Sequence, residues 1–236
     1  MKKIKLMVFA LLIVMSLSAC STQGEVNNDD ALKNDIVKPT IGVNNTSDDN
    51  FVENGDSFSL EDLQHAKETP TSEFEYELVD GGVVITKYEG DSSIIVIPEY
   101  IEENAVLAIG ETAFANNTSI KGLKLSNSVI KIEKNAFANC SELELFISGT
   151  ALKEINDYAF NGCNNMKDVV LNEGLERLEL SCLNSESLMK IEVPSSVTYF
   201  NGPFCLFDKK TRVIIAEKGS PAETFANESG YSFQEK

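Results

Sequence analysis

The chain has 236 residues, room for one ordinary domain with additions. Its 37 acidic and 20 basic residues give a formal charge of −17, a balance that repels phosphate backbones and argues against nucleic acid as a partner. With one histidine, His65, and five cysteines that form no CxxC pair, a structural zinc site of ordinary spacing has no support, and neither metal nor cofactor is expected.

Residues 1–19 read as an export signal. Lys2, Lys3 and Lys5 make a positive start, residues 6–17 are nearly all apolar, and Leu17-Ser18-Ala19 brings small residues up to Cys20. The apolar run is short of the ~20 residues that a spanning helix needs. The Leu-Ser-Ala-Cys end resembles the lipobox of bacterial lipoproteins. That resemblance implies cleavage before Cys20 and a lipid on its sulfur, the alternative being an ordinary secretory signal with a chance cysteine. Two acyl signals suffice for stable anchoring, so the expected location is the cell surface, extracytoplasmic and lipid-anchored. Loss of the three lysines would leave 17 basic against 37 acidic residues, a charge of −20.

After Cys20 comes a polar, acidic stretch. Residues 21–73 carry 12 acidic and 3 basic side chains and few large apolar ones. Such a segment cannot bury enough surface to offset its ordering entropy, so residues 20–73 are expected to form a disordered, self-repelling tether. Within it, residues 51–66 could form a short helix with Ser59 as N-cap and Asp62 three residues on. Asn50, Asn54, Gly55 and Glu61 fall at calcium-loop positions, but two of the expected carboxylates are missing, and chance is the better reading.

From there the chain is self-similar. Ala113-Phe114 recurs as Ala136-Phe137 and Ala159-Phe160, 23 residues apart each time. Ile109, Ile132, Ile155 and Leu178 share that period, as do Leu123, Phe146 and Val169, and Val129, Leu152 and Leu175. A fourth unit is one residue shorter, with Leu188, Ile191, Val193, Val197 and Phe200 each 22 after their counterparts. One such unit cannot bury its apolar face alone, whereas stacked units cover one another. Each unit holds a short alternating run, such as Leu123-Lys124-Leu125, that suits a half-buried strand. Asn127, Gly149, Gly174 and Ser195 supply the turn after it.

The runs Ile109-Gly110-Glu111-Thr112-Ala113-Phe114, Ile132 through Cys140 with Leu143, and Ile155 through Cys163 resemble the BspA-like bacterial leucine-rich repeats. The resemblance implies a β-rich (α+β) solenoid of about four to five units of 22–23 residues over residues 74–236. Residues 74–105 look like the family's entry cap, residues 106–205 hold the repeats, and residues 206–236 look like its closing segment. The Gly219-Ser220-Pro221 start suits a capping helix with Ser220 as N-cap and Pro221 at its first position. The fourth unit departs from the pattern, with Cys182-Leu183 for Ala-Phe and Glu186 for the ladder cysteine, and Gly202-Pro203-Phe204-Cys205 replaces the next step.

Cys140 and Cys163 stand one repeat apart, close enough on stacked turns for a disulfide. The family's ladder places this cysteine inward, which favours two small buried thiols; Cys182 and Cys205 read as core as well. Nothing in the repeat region resembles a catalytic constellation. The lone histidine lies in the tether, and no HExxH, P-loop or GxGxxG is present. Acidic pairs such as Glu102 with Glu103, or Glu142 with Glu144, read as solvated charges rather than a glycosidase dyad.

In the strands, Leu123, Phe146, Val169 and Ile191 are expected to face inward. Lys124, Ile147, Val170 and Glu192 then face out, as do Gly122, Leu145, Asp168 and Lys190 on the other side. Leu145, Ile147 and Val170 would form an exposed apolar patch rimmed by Lys124, Asp168, Lys190 and Glu192, the make-up of a protein-binding face. A one-residue slip around Ser148 would instead turn Leu145 and Ile147 inward. The expected function is a non-enzymatic, monomeric surface protein that binds an unknown envelope or host protein. A purely structural envelope lipoprotein is the alternative, and an enzyme of unknown type is less favoured.

Overall fold

The computed structural model describes residues 58–203 and 209–236. The signal, Cys20 with its expected lipid, most of the tether and Cys205 lie outside the described residues.

In chain order the elements are helix α1 (Leu60–His65), strands β1 (Phe74–Val79), β2 (Gly82–Tyr88), β3 (Ile94–Val96), β4 (Tyr100–Ile101), β5 (Asn104–Ile109), β6 (Gly122–Lys124), β7 (Lys131–Ile132), β8 (Leu145–Ile147), β9 (Glu154–Ile155), β10 (Asp168–Val170), β11 (Arg177–Leu178), β12 (Lys190–Glu192), β13 (Tyr199–Phe200) and β14 (Val213–Ala216), helix α2 (Pro221–Ser229) and strand β15 (Ser232–Glu235). The chain from β2 onward winds as a solenoid. One wall is the series β2-β5-β7-β9-β11-β13, in parallel from β2 on. The opposite wall is β3-β6-β8-β10, also parallel. Between them lie the ladders seen in the sequence: Ile109, Ile132, Ile155 and Leu178 from one wall, and Ile95, Leu123 and Phe146 from the other, all fully buried.

Each turn is held to the next at the Ala-Phe corner. The Phe114, Phe137 and Phe160 amides donate to the carbonyls of Ala136, Ala159 and Cys182 at 2.8–2.9 Å. Phe114 and Phe137 stack at 4.8 Å between ring centres, and Phe137 and Phe160 at 5.0 Å. To turn so tightly the backbone enters the left-handed region once per repeat at Thr112, Asn135, Tyr158 and Ser181, and again at Asn116, Asn139 and Gly162. Asn is the non-glycine residue best suited to that region, and Asn139 also donates its side-chain amide to Asn116 Oδ1 at 3.0 Å.

Both ends are closed. The antiparallel hairpin β1–β2 covers the first turn, with Phe74 and Tyr88 in contact at 5.6 Å. At the other end Ser220 Oγ accepts the Glu223 amide, Pro221 opens α2, and Gly230 ends it at φ 82°. Phe225 of α2 stacks on Phe200 at 4.3 Å. The second wall divides at the shortened unit: β12 pairs with β14, and β14 with β15, in a separate three-stranded sheet.

Cys140 and Cys163 are buried thiols on one ladder. Each donates its S–H one turn back, to the Phe114 and Phe137 carbonyls respectively, at 3.2 Å. Burial, together with the neighbouring Cys140, pushes the Cys163 thiol well up, and burial does the same to Cys182.

The tether reading needs correction from Phe58 onward. Ser59 accepts the Asp62 amide at 3.2 Å and Asp62 accepts the Ser59 amide at 3.0 Å, a reciprocal capping box that starts α1 as its spacing predicts. The helix does not hang free: Leu63 is fully buried against the solenoid. Thr69 then clips the segment to β3, its amide donating to the Val96 carbonyl and its hydroxyl accepting the Val96 amide, both at 3.0 Å. The average composition of residues 21–73 hides one apolar cluster, Phe58, Leu60 and Leu63, that has a surface to cover.

Candidate functional site

The outward face of β3, β6, β8 and β10 is the surface that the repeat presents. Its register is in step: Gly122, Leu145 and Asp168 are paired neighbours, as are Lys124, Ile147 and Val170. Phe146 is fully buried in the solenoid core beside Leu123. There is therefore no slip at Ser148, and Leu145 and Ile147 point away from the core as expected. Ser148 is buried all the same, its Oγ accepting the Asn172 amide at 2.8 Å.

The expected exposure of Leu145 and Ile147 is nevertheless wrong. Leu145 is 1% and Ile147 7% exposed, because α1 lies over them. Leu63, Leu145 and Ile147 form a second apolar cluster, separate from the solenoid core, with Phe58, Leu60, Ile94 and Val170 packed around it. Gly122 makes room for the aromatic ring: a Cβ there would stand 2.4 Å from Phe58 Cε1. Lys124 donates from Nζ to the Gln64 carbonyl at 2.6 Å, placing a cation at the carbonyl end of α1. The slot, apolar floor and terminal cation together make a seat for a short amphipathic helix.

That seat is marginally held. Full burial of Leu63, partial burial of Phe58 and Leu60 and the cover given to Leu145 and Ile147 contribute on the order of 7 kcal/mol. The cap and the Lys124 bond add about 2 kcal/mol, while ordering about eight backbone residues costs roughly 8 kcal/mol. The two sides cancel to within a few kcal/mol, whereas each repeat is locked on both sides by its neighbours.

Of the remaining candidate residues, Val170 packs at the edge of the α1 cluster and the charged ones lie beyond it. Asp168, Lys190 and Glu192 are exposed and Val170 is half-buried. Glu192 is paired with the Lys236 side chain, and Glu144 with Lys167 at 2.7 Å. That pairing and its hydrogen bond raise Lys167 above the ordinary lysine value. His65 is exposed on α1, with Nδ1 2.9 Å from the Glu61 carbonyl oxygen. The face thus has two parts: an apolar seat taken by α1 over β3, β6 and β8, and a charged, open part over β10 and β12. The clue to the first part was present in the sequence as a glycine, Gly122, in the column that holds Leu145 one repeat later.

Residues 92–210 match the BspA type Leucine rich repeat region, in six copies. The match begins inside the stretch read from sequence as the entry cap and exceeds the four to five units expected there. No curated protein is detectably similar in sequence. Among solved structures, a leucine-rich-repeat protein from T. pallidum is 27% identical, with 63% of this chain covering 71% of that one at a TM-score of 0.57. A leucine-rich-repeat protein from Bacteroides ovatus is 22% identical over 61% of this chain and 39% of that one, at a TM-score of 0.54, and shares the fold.

Proposed function

Since the chain belongs to the BspA type leucine-rich-repeat family, we propose that it is an extracytoplasmic recognition protein, held to a membrane by a lipid on Cys20, whose repeat strands bind another protein. The observation that carries this reading is the outward strand face itself. It joins an apolar seat at Leu145, Ile147 and Val170 to an open rim at Asp168, Lys190 and Glu192, and an apolar centre with a charged rim suits protein contact. The basic, apolar and small-residue order of residues 1–20 supports export and lipidation.

Two experiments test the two halves. Growth with a labelled fatty acid should label the wild-type chain and leave Cys20→Ser unlabelled and released from membranes; equal labelling of both would remove the anchor. Full-chain protein and its Asp168→Lys, Lys190→Glu variant are then used to capture partners from envelope and host-surface extracts. A partner kept by the wild type and lost by the folded variant supports recognition at this face. Absence of any partner supports a structural envelope lipoprotein, a second reading favoured by the cover that α1 gives to Leu145 and Ile147.

A further inference from the structure

We infer that the seat under α1 is an exchangeable helix-binding groove: its ligand is a short amphipathic helix of a partner protein, and α1 is the occupant that keeps the groove closed until such a helix displaces it. This rests on the reading of the strand face as a recognition surface, and names the partner's chemistry.

Three features define that chemistry. Phe58, Leu60 and Leu63 enter one apolar cluster with Leu145 and Ile147, so the ligand carries an aromatic residue followed by leucine-like residues two and five positions on. Gly122 is the slot for the aromatic ring, since any side chain there would collide with Phe58. Lys124 meets a backbone carbonyl at the helix C-terminal end, at Gln64, and so fixes the direction of the ligand without reading its side chains. On the outward side of α1, Glu61 and Gln64 have exposed side chains and Asp62 serves the helix's own cap, so none of the three sets the fit to the groove.

The connection of α1 permits exchange. Thr69 is fixed to Val96, and only residues 66–68 separate that clip from the helix. The helix can therefore leave its seat without disturbing any repeat, because none of its side chains enters the solenoid core. A partner that inserts its own helix gains an apolar seat already shaped to receive one, which suits helix-in-groove recognition. Because α1 is tethered beside its seat, it competes at high effective concentration, and a free helix binds weakly until α1 is disabled.

The test uses the full chain, a Leu63→Asp variant and a fluorescent synthetic peptide with the sequence of residues 57–68. The variant is expected to bind the peptide at least tenfold tighter than the wild type, with Gly122→Val in the same background abolishing binding. A Leu63→Asp chain that melts as the wild type does yet binds no peptide would overturn the groove. Hydrogen exchange on the wild type gives a check free of any variant. The Leu63 amide should exchange at least a hundredfold faster than that of Phe146, and equal protection would make α1 a fixed cap. A concentration-dependent dimer that swaps α1 would assign the groove to a second copy and overturn the foreign partner. Peptide binding without any captured protein would retain the groove and remove the recognition reading; capture through Asp168 and Lys190 without peptide binding would do the reverse.

Discussion

Lys124 and Gln64, sixty positions apart, are joined by a 2.6 Å bond from the lysine Nζ to the glutamine carbonyl oxygen. The bond ties a helix outside the repeats to the strand face that the repeats present. It helps to hold the face covered in this structure, and the proposed exchange would open it. The neighbouring glycine gives a way to shift that balance without touching the core.

Gly122→Val should expel α1 and spare the solenoid. The atoms nearest to an added Cβ are Phe58 Cε1 at 2.4 Å, Phe58 Cζ at 2.7 Å and Leu63 Cδ1 at 3.3 Å, all on the α1 segment. Trypsin should then cut after the exposed Lys67 markedly faster than in the wild type, while the midpoint of solenoid unfolding moves by less than about 1 kcal/mol equivalent. An unchanged cutting rate would mean that Phe58 does not occupy the slot.

Phe137→Ala is the contrasting case. Phe137 is fully buried between Phe114 and Phe160, and repeats on both sides depend on it. Loss of the ring should cost about 3–5 kcal/mol, read as a shift of the denaturant midpoint at unchanged slope. Phe58→Ala, which removes the same atoms from the α1 cluster, should leave that midpoint nearly unmoved. Similar losses in the two variants would make α1 part of the cooperative fold.

These two phenylalanines also mark what could be read in the sequence. Phe137 belongs to a ladder of period 23, and a repeated period exposes inward residues directly, because each turn places the same side chain in the same environment. The Ser59–Asp62 cap and the Ser220–Pro221 start were legible for a similar reason: capping is local, settled within four residues. Phe58 has no such signal. Its partner surface lies on β6 and β8, and nothing in a short acidic stretch reveals a contact so far along the chain. Alternation did place Leu145 and Ile147 on the outward face, but alternation reports direction and not cover.

The ladder cysteines separate the two readings left open by their spacing. Cys140 and Cys163 each donate to a carbonyl and are wholly buried, and burial raises the Cys163 and Cys182 thiols. The thiolate is the reactive form, so native protein should leave Cys140, Cys163 and Cys182 unlabelled by maleimide at pH 7. In guanidinium without reductant all three should label, as peptide mapping would show. If Cys140 and Cys163 stay unlabelled until a reductant is added, they form a disulfide.

Acid should loosen α1 through Asp62. Hydrogen bonds from the Ser59 hydroxyl and amide hold the Asp62 carboxyl below the ordinary value of 3.8. A carboxylate depressed in the folded state contributes stability that is complete above the unfolded value and is lost as pH falls through the folded one. The cap is therefore intact at neutral pH, begins to weaken as pH falls past the ordinary carboxylate value and is lost only as pH passes the lower folded one. Asp62 is fully exposed, so the effect is confined to α1, and its N-terminal position adds a favourable helix-end charge that disappears with the same proton. Amide resonances of α1 followed by NMR from pH 6 to pH 2.5 should move toward unfolded positions before those of β8 do. Asp62→Asn removes the titrating group and should flatten that early transition. If α1 and β8 shift together in both proteins, the capping box does not control the seat, and the acid response belongs to the solenoid as a whole.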